Sequence, residues 1–248
     1  MNLLAGAILL LSLVTLIGVY LILRLRKKTQ TAVRPISAFQ DLKVQASYAA
    51  ESGGGIHVAL GNGSLYGEDA ITSIAALQVL EALSDEAVAY NAPPIITVGD
   101  PTLLPIAQDI LRRAYERKGQ LEFYNAGQVR FVAPSPVGYA AGAGDVASGE
   151  TVTATMMIGA FAQEVSLIAD SSVRYNTPAL AAVTTPTAIS ALYPAIEKLA
   201  QGEELYAAGA QLTGEDRYMA GLITQDVLRF ILVLTILALS IATYWGIW

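Results

Sequence analysis

The chain has 248 residues, 54% of them hydrophobic, with one histidine, no cysteine and a net charge of −6 at neutral pH. Without cysteine, structural disulfides, thiolate catalysis and cysteine-ligated metals are excluded, and we expect no metal site and no cofactor. Between Ile36 and Gln225 there are 9 Lys or Arg residues against 20 Asp or Glu residues, a net charge of −11. Such an acidic body repels phosphate backbones, so nucleic acid is not an expected partner.

Two uncharged apolar runs lie at opposite ends of the sequence. Leu3–Leu23 has 21 residues and Phe230–Trp248 has 19. About 20 apolar residues in a helix span a bilayer core of about 30 Å, so both runs are predicted to be transmembrane helices. The alternative for the first run is a cleaved signal peptide. It is disfavoured because the positive charges follow the run instead of preceding it.

The charges after the first run predict the orientation of the chain. The basic side chains closest to this run are Arg24, Arg26, Lys27 and Lys28. Basic segments beside a membrane helix stay in the cytoplasm and contact anionic lipid headgroups. We therefore expect a two-pass protein of the cell (inner) membrane, with lipids as partners, both termini outside and the middle of the chain in the cytoplasm.

The body between the runs alternates short β-branched stretches with longer helical patterns. The predicted strands are Ile56–Leu60, Ile95–Val98, Val129–Ala133, Thr153–Ile158 and Ala179–Val183, with additional short candidates at Leu42–Tyr48 and Leu121–Tyr124. The predicted helices are Glu68–Tyr90, Thr102–Lys118, Ser135–Ser148, Phe161–Tyr175 and Thr187–Gln201. This alternation predicts an α/β fold, with a doubly wound, mostly parallel sheet of about five strands covered on both faces.

The remaining signals divide the chain into segments. Asp100 followed by Pro101 is typical of a helix start, and Gly119 is typical of a helix end. Gly202–Ala210 fits a helix or a strand, and the helix at Glu215–Arg229 is expected to continue unbroken into the second apolar run. The predicted organisation is a transmembrane helix at 1–23, a basic segment and linker at 24–51, the α/β domain at 52–225 and a second transmembrane helix at 226–248.

The most suggestive motif follows the first predicted strand. Gly61, Asn62, Gly63 and Ser64 begin a glycine-rich turn that ends at Gly67. Turns of this kind often bind phosphate, because glycines let backbone N–H groups approach the anion. The spacing matches neither the dinucleotide fingerprint nor the P-loop, and two acidic residues follow directly. The favoured interpretation is a structural turn, with phosphate or nucleotide binding as the alternative.

Polar residues also follow two other predicted strands. Asp100 and Thr102 come after the second strand, and Gln163 and Glu164 come after the fourth. Carboxyl ends of parallel strands meet at one edge of the sheet, where open α/β sheets bind ligands. These side chains are therefore candidates for the same crevice as the glycine-rich turn. The simpler alternatives are helix caps or favourable charges at helix starts.

Two further features have structural interpretations. The single histidine, His57, lies within the first strand and is predicted to be a hydrogen-bonded core residue, because no serine, histidine and aspartate arrangement surrounds it in the sequence. Small residues dominate Tyr139–Gly144 and Ala207–Ala210. Such stretches suit contacts between subunits, or tight packing of helices within one subunit, and the second interpretation is slightly favoured.

Several of these segments together resemble a known family. They are Ser52–Gly61, Val98–Thr102 with Ala107–Asp109, Ile158–Phe161 with Glu164, and Gly202–Ala210. The sequence is similar to an uncharacterised, membrane-anchored domain family of bacteria and archaea, described as a domain of unknown function. The resemblance extends from about residue 40 to 235 and implies architecture alone, without an activity.

Two functions fit these observations. The first is a scaffold or assembly protein whose cytoplasmic domain self-associates or joins a larger membrane complex. It is favoured because the sequence contains no catalytic constellation, so no catalytic residues are assigned and an enzyme is not expected. The alternative is a small-molecule or nucleotide-binding domain, enzymatic or not, that uses the crevice at the strand ends.

Overall fold

The computed structural model describes residues 15, 17–20, 22, 35–40, 42–92, 94–149, 151–213 and 216–244. The chain divides into two compact units, of which one is Arg34–Leu212 and the other combines Met1–Val33 with Thr213–Trp248. The basic side chains at 24–28, which were predicted to contact lipid, lie outside the described residues. The same holds for most of the first apolar run.

The unit Arg34–Leu212 contains six strands and eight helices within the described residues. The strands are β1 Gly55–Gly61, β2 Pro94–Val98, β3 Val129–Phe131, β4 Val152–Ala160, β5 Ala179–Val183 and β6 Lys198–Gln201. The helices are α1 Ser37–Gln40, α2 Leu42–Glu51, α3 Ala70–Ala89, α4 Leu104–Arg117, α5 Pro136–Ala147, α6 Val165–Arg174, α7 Pro186–Leu192 and α8 Glu204–Thr213. The five main predicted strands are thus present, and the predicted α/β fold class is confirmed.

The six strands form one sheet in the order β3-β2-β1-β4-β5-β6, and every neighbouring pair is parallel. In the middle of the sheet, Val58 of β1 lies beside Ile96 of β2 and Met156 of β4. This is the doubly wound strand order 3-2-1-4-5-6, in which the direction of winding reverses between β1 and β4. The reversal defines the place where the loops of the two halves diverge.

Helices cover both faces of the sheet, as the continuous apolar strands require. Alternate residues of β1 enter two separate cores: Ile56, Val58 and Leu60 pack with α1 to α4 and α8. Ala59 packs on the other face with α5, α6 and α7. All seven residues of β1 are buried, which places the strand in the centre of the unit.

The second unit contains α9, a continuous helix from Asp216 to Tyr244 with 29 residues. The predicted continuity between the helix at 215–229 and the second apolar run is confirmed over this range, because no glycine or proline interrupts it after Gly221. Within the described part of the chain, no helix has an apolar stretch of the length that crossing a bilayer requires.

Two predicted short strands are wrong. The segment Leu42–Tyr48 belongs to the helix α2, in which Ala46 and Ala49 face the core at a spacing of three while Val44 is exposed. The alternating pattern of its apolar residues therefore does not match the buried face. The segment Leu121–Tyr124 forms a 3₁₀ turn at Leu121–Phe123, which begins two residues after Gly119 at the end of α4.

The predicted helix Thr187–Gln201 is too long. The structure ends α7 at Leu192 and forms the edge strand β6 at Lys198–Gln201. Pro194 explains the end of the helix, since proline has no N–H to continue the helical hydrogen bonds. In the ambiguous segment 202–210, a turn at 202–203 leads into α8, which includes residues 204–210.

The predicted start of α4 is also wrong. Asp100 is not its cap, because the helix begins at Leu104 with Pro105 in its first turn. The side chain of Asp100 instead accepts a hydrogen bond from the backbone N–H of Thr102 at 2.8 Å and closes the preceding turn. Gly119 has a φ of +68° and ends the helix as predicted.

Candidate functional site

Three loops leave the carboxyl edge of the sheet beside the reversal of winding. They connect β1 to α3, β2 to α4 and β4 to α6. Because β1 lies between β2 and β4, these loops are neighbours. In open α/β sheets this is the usual position of a ligand crevice. All eight residues predicted as ligand-binding belong to these loops or to the strand end that leads into them.

Backbone contacts join the three strand ends closely. The carbonyl oxygen of Gly61 accepts from the N–H of Gly99 at 2.9 Å, and the N–H of Asn62 donates to the carbonyl of Ala160 at 3.0 Å. Gly61 has a φ of +75°, and a Cβ at this position would lie 2.2 Å from the carbonyl oxygen of Ala160. Only glycine fits here without displacing backbone.

Side-chain hydroxyl oxygens accept hydrogen bonds from two backbone N–H groups of the glycine-rich turn. The N–H of Leu65 donates to the Thr102 hydroxyl at 3.2 Å, and the N–H of Tyr66 donates to the Ser64 hydroxyl at 3.2 Å. The Thr102 hydroxyl in turn donates to the carboxylate of Asp100 through a short hydrogen bond. The N–H groups of Leu65 and Tyr66 are therefore not available to an anion. The negative charge of the Asp100 carboxylate next to Thr102 would also repel one.

Asn62 is the unusual residue of this edge. Neither its Oδ1 nor its Nδ2 has a hydrogen-bond partner among the described residues, although both atoms are enclosed. The carboxamide lies against Gly99, where a Cβ would be 2.0 Å from the Asn62 Oδ1. A buried polar group without a partner costs about 1–3 kcal/mol, so this side chain needs an explanation beyond local packing.

The other two predicted residues are placed separately. Glu164 is buried, and its Oε1 accepts from the backbone N–H of Ala162 at 2.8 Å, so the carboxylate closes its own loop before α6. Gln163 is exposed at the start of the same helix. The structure thus brings the turn at 61–64 together with Asp100 and Thr102. Among the described residues, it shows no hydrogen bond from Gln163 or Glu164 to that group.

A buried polar network lies beneath the turn, on the α5 face of the sheet. The N–H of Gly61 donates to the Tyr139 hydroxyl at 3.1 Å, and that hydroxyl donates to the carbonyl of Thr97 at 3.1 Å. The Thr97 hydroxyl then donates to Tyr139 at 3.2 Å and accepts from Nε2 of His57 at 2.9 Å. Because the Thr97 hydroxyl has one proton and donates it to Tyr139, Nε2 of His57 must carry the proton of their hydrogen bond. His57 is thus a hydrogen-bonded core residue in the Nε2–H tautomer.

Burial sets the protonation of this network. It lowers the pKa of His57 to about 3, with a smaller contribution from the positive charge of Arg130. It also raises the pKa of Tyr139 to about 12, partly offset by hydrogen bonds from its neighbours. Within the part of the chain that the structure describes, the unprotonated Nδ1 of His57 and the hydroxyl of Thr155, its register neighbour on β4, both lack hydrogen-bond partners. Both titratable groups are neutral and enclosed, which suits a structural role.

Sequence reasoning missed Thr97 and Tyr139 because nothing near them in the chain indicates this network. The two residues are 42 positions apart, and Tyr139 lies in an alanine- and glycine-rich helix. Two open clefts were missed as well, and both lie at the amino edge of the sheet, away from the loops above. They have volumes of about 390 Å³, between the start of β2 and the loop before β3, and about 540 Å³, near the starts of β5 and β6.

A comparison with models of protein families shows which family the chain belongs to. Residues 1–247 match the family described as Domain of unknown function (DUF6754). The chain belongs to this family. The match confirms the resemblance to an uncharacterised domain family, and it carries no statement about membrane anchoring or activity. Searches of curated proteins and of solved structures found no match. Within the described residues, no cluster of three or more potential metal ligands is present.

Proposed function

We propose that the protein is a membrane-anchored assembly protein whose α/β unit associates with further copies of itself. The anchoring rests on the two apolar runs and the basic segment after the first one. The association rests on one observation in the α/β unit, an exposed apolar patch at the start of α3. We define this patch as Tyr66, Ile71 and Ile74.

The apolar patch exposes large side chains without a partner in the described chain. Tyr66 is 78% exposed, Ile71 70% and Ile74 49%. Ile71 and Ile74 are three residues apart and therefore share one face of the helix. Single exposed apolar residues are ordinary, whereas adjacent ones favour an interaction surface. The small-residue stretches at 139–144 and 207–210 are weaker candidates, because Tyr139, Gly144 and Ala208 are buried inside the unit.

The charges along α3 permit two copies to approach. Farther along the outer face of the helix lie Glu81 and Asp85, which would repel the same residues of another copy. Arg117 of α4 forms ion pairs with both, at 3.3 Å to Glu81 and 2.8 Å to Asp85. Confinement to a membrane would raise the local concentration and favour such lateral contacts.

Full-length protein in mild detergent tests the association by native mass spectrometry. We expect oligomers from the unmodified chain, and monomers from the double variant Ile71→Glu with Ile74→Glu. The matched control is Leu167→Glu with Val173→Glu on α6, which places the same charges on exposed apolar positions of the opposite face. A monomeric unmodified chain, or equal disruption by both double variants, would contradict the proposal.

Protease treatment of intact cells tests the anchoring and orientation. With the α/β unit in the cytoplasm, protease added outside should leave it uncut until the cells are opened. Cleavage of the unit in sealed cells would reverse the orientation. Release of the protein from membranes by high salt alone would remove the transmembrane interpretation.

A second candidate function is binding of a small molecule at the strand-end crevice, which the unpartnered carboxamide of Asn62 favours. An uncharged polar ligand fits better than a phosphate, because hydroxyl oxygens already accept from the N–H groups of Leu65 and Tyr66. Native mass spectra should then show a small molecule bound to the unmodified chain and absent from Asn62→Ala. Tight binding of ATP, NAD or FAD would contradict the expected class of ligand.

A further inference from the structure

The cleft of about 390 Å³ lies at the opposite edge of the sheet from the proposed sites. Its walls come from the turn between α3 and β2 and from the two 3₁₀ turns that separate α4 from β3. The volume falls within the range of about 300–1,000 Å³ that is typical of small-molecule sites. The cleft is therefore large enough for a ligand of one or two rings.

The polar lining of this cleft is uncharged. It consists of four carboxamides and one phenol, contributed by Asn91, Gln120, Asn125, Gln128 and Tyr115. Among the described residues, no Lys or Arg lines the cleft to bind phosphate, and no Asp or Glu lines it to bind an amine. In a unit as acidic as this one, an uncharged lining selects for a neutral ligand.

Hydrogen bonds fix the carboxamides in place. Gln128 donates to the Tyr115 hydroxyl at 3.2 Å and accepts from the backbone N–H of Asn125 at 3.2 Å. Asn125 accepts from the N–H of Gly127 at 2.9 Å, and Gln120 donates to Asn91 at 3.4 Å. Within the described residues, the NH₂ groups of Asn91 and Asn125 and the carbonyl of Gln120 keep hydrogen-bonding capacity. Donors and an acceptor side by side match hydroxyl groups, which both donate and accept.

An aromatic ring completes the lining. Phe123 is 67% exposed, although it contributes to the wall of the cleft. An exposed ring beside fixed carboxamides suits a molecule with one apolar C–H face and polar groups around its rim. We propose that this cleft binds a neutral saccharide unit of hexose size, with its C–H face on Phe123 and its hydroxyls on the carboxamides.

Saturation-transfer NMR on full-length protein tests this proposal, in a detergent without a sugar headgroup so that the detergent does not compete. The probes are D-glucose, D-mannose and N-acetyl-D-glucosamine, with glucose 6-phosphate as the charged comparison. We expect saturation transfer to the ring C–H protons of at least one neutral sugar, and weaker transfer to the ring C–H protons of glucose 6-phosphate.

Two variants locate the binding. Phe123→Ala should weaken it by about fivefold or more, as expected for loss of an aromatic contact. Phe131→Ala, which removes another exposed phenylalanine outside the cleft, should leave it unchanged. Gln120→Met keeps the size of the side chain and removes the carboxamide, so it should also weaken binding. The proposal is overturned if no neutral sugar receives transfer, if the phosphate binds best, or if Phe123→Ala and Phe131→Ala behave alike.

Discussion

Acid should destabilise the α/β unit through His57, and the size of the effect follows from the burial of its ring. The pKa of His57 is about 3 in the folded chain, against 6.5 for an unperturbed histidine. The unfolded chain therefore binds a proton near pH 6.5 that the folded chain does not bind until about pH 3. Stability from this group is complete above pH 6.5 and is lost as the pH falls towards 3.

The magnitude can be worked from these two values. One pKa unit corresponds to about 1.4 kcal/mol, and between pH 7 and pH 4 the linkage amounts to about 3 kcal/mol in the free energy of unfolding. This is a large share of the roughly 5–15 kcal/mol that stabilises a typical domain. The acidic residues of the unit also titrate in this range, so the contribution of His57 must be separated from theirs.

His57→Gln provides that separation, because glutamine can still donate to the Thr97 hydroxyl but does not titrate. Urea unfolding of both full-length proteins, followed by far-UV circular dichroism at pH 7, 6, 5 and 4, gives the free energy of unfolding. We expect the unmodified chain to lose about 3 kcal/mol more than the variant between pH 7 and pH 4. Parallel pH profiles of the two proteins would refute the reasoning.

Two further predictions concern the turn after β1, and urea unfolding at pH 7 measures both. Gly61→Ala should destabilise the unit by about 3 kcal/mol or more, because it combines a strained φ with a clash. Gly67 has a similar φ, but a Cβ there would meet open space, so Gly67→Ala should lower the free energy of unfolding by only about 1 kcal/mol. Equal losses of stability in the two variants would contradict the clash at Gly61. Thr102→Val should cost about 1–2 kcal/mol through its lost hydrogen bonds, whereas the exposed Thr187→Val should change stability by less than about 0.5 kcal/mol.

Most of the fold could be predicted because its signals are local. Strand β5 was predicted with its observed boundaries, and the other four main strands within one or two residues at each end, since each is a short apolar run between turns. Strand β6 could not be recognised in the same way, because its four residues have no alternating pattern and follow a helical one. The strand order is not local either. It depends on pairings such as β1 with β4, which are separated by about 100 residues of sequence.

The location of the candidate site could be predicted, but its chemistry could not. Parallel strands bring their carboxyl ends to one edge of the sheet, which predicts that the glycine-rich turn lies near Asp100. The interactions within the site depend on side-chain positions. The Thr102 hydroxyl accepts from the N–H of Leu65, which a phosphate would otherwise bind. The Tyr139 hydroxyl, from helix α5, accepts from the N–H of Gly61. No sequence spacing signals either contact.

The glycines that suggested an anion site have a different physical role, and this determines how the site must be tested. A Cβ on Gly63 would lie 2.5 Å from the Ser73 hydroxyl and 2.8 Å from the Cβ of Ala160, and one on Gly99 would meet Asn62. Each glycine therefore permits close approach between parts of the protein itself. Substituting one of them would disturb the loops whether or not a ligand binds there. Asn62 is the better position to change, because its carboxamide has no hydrogen-bond partner among the residues described by the structure. If Asn62→Ala leaves stability unchanged or raises it and also removes a bound molecule, the carboxamide serves a ligand and not the fold.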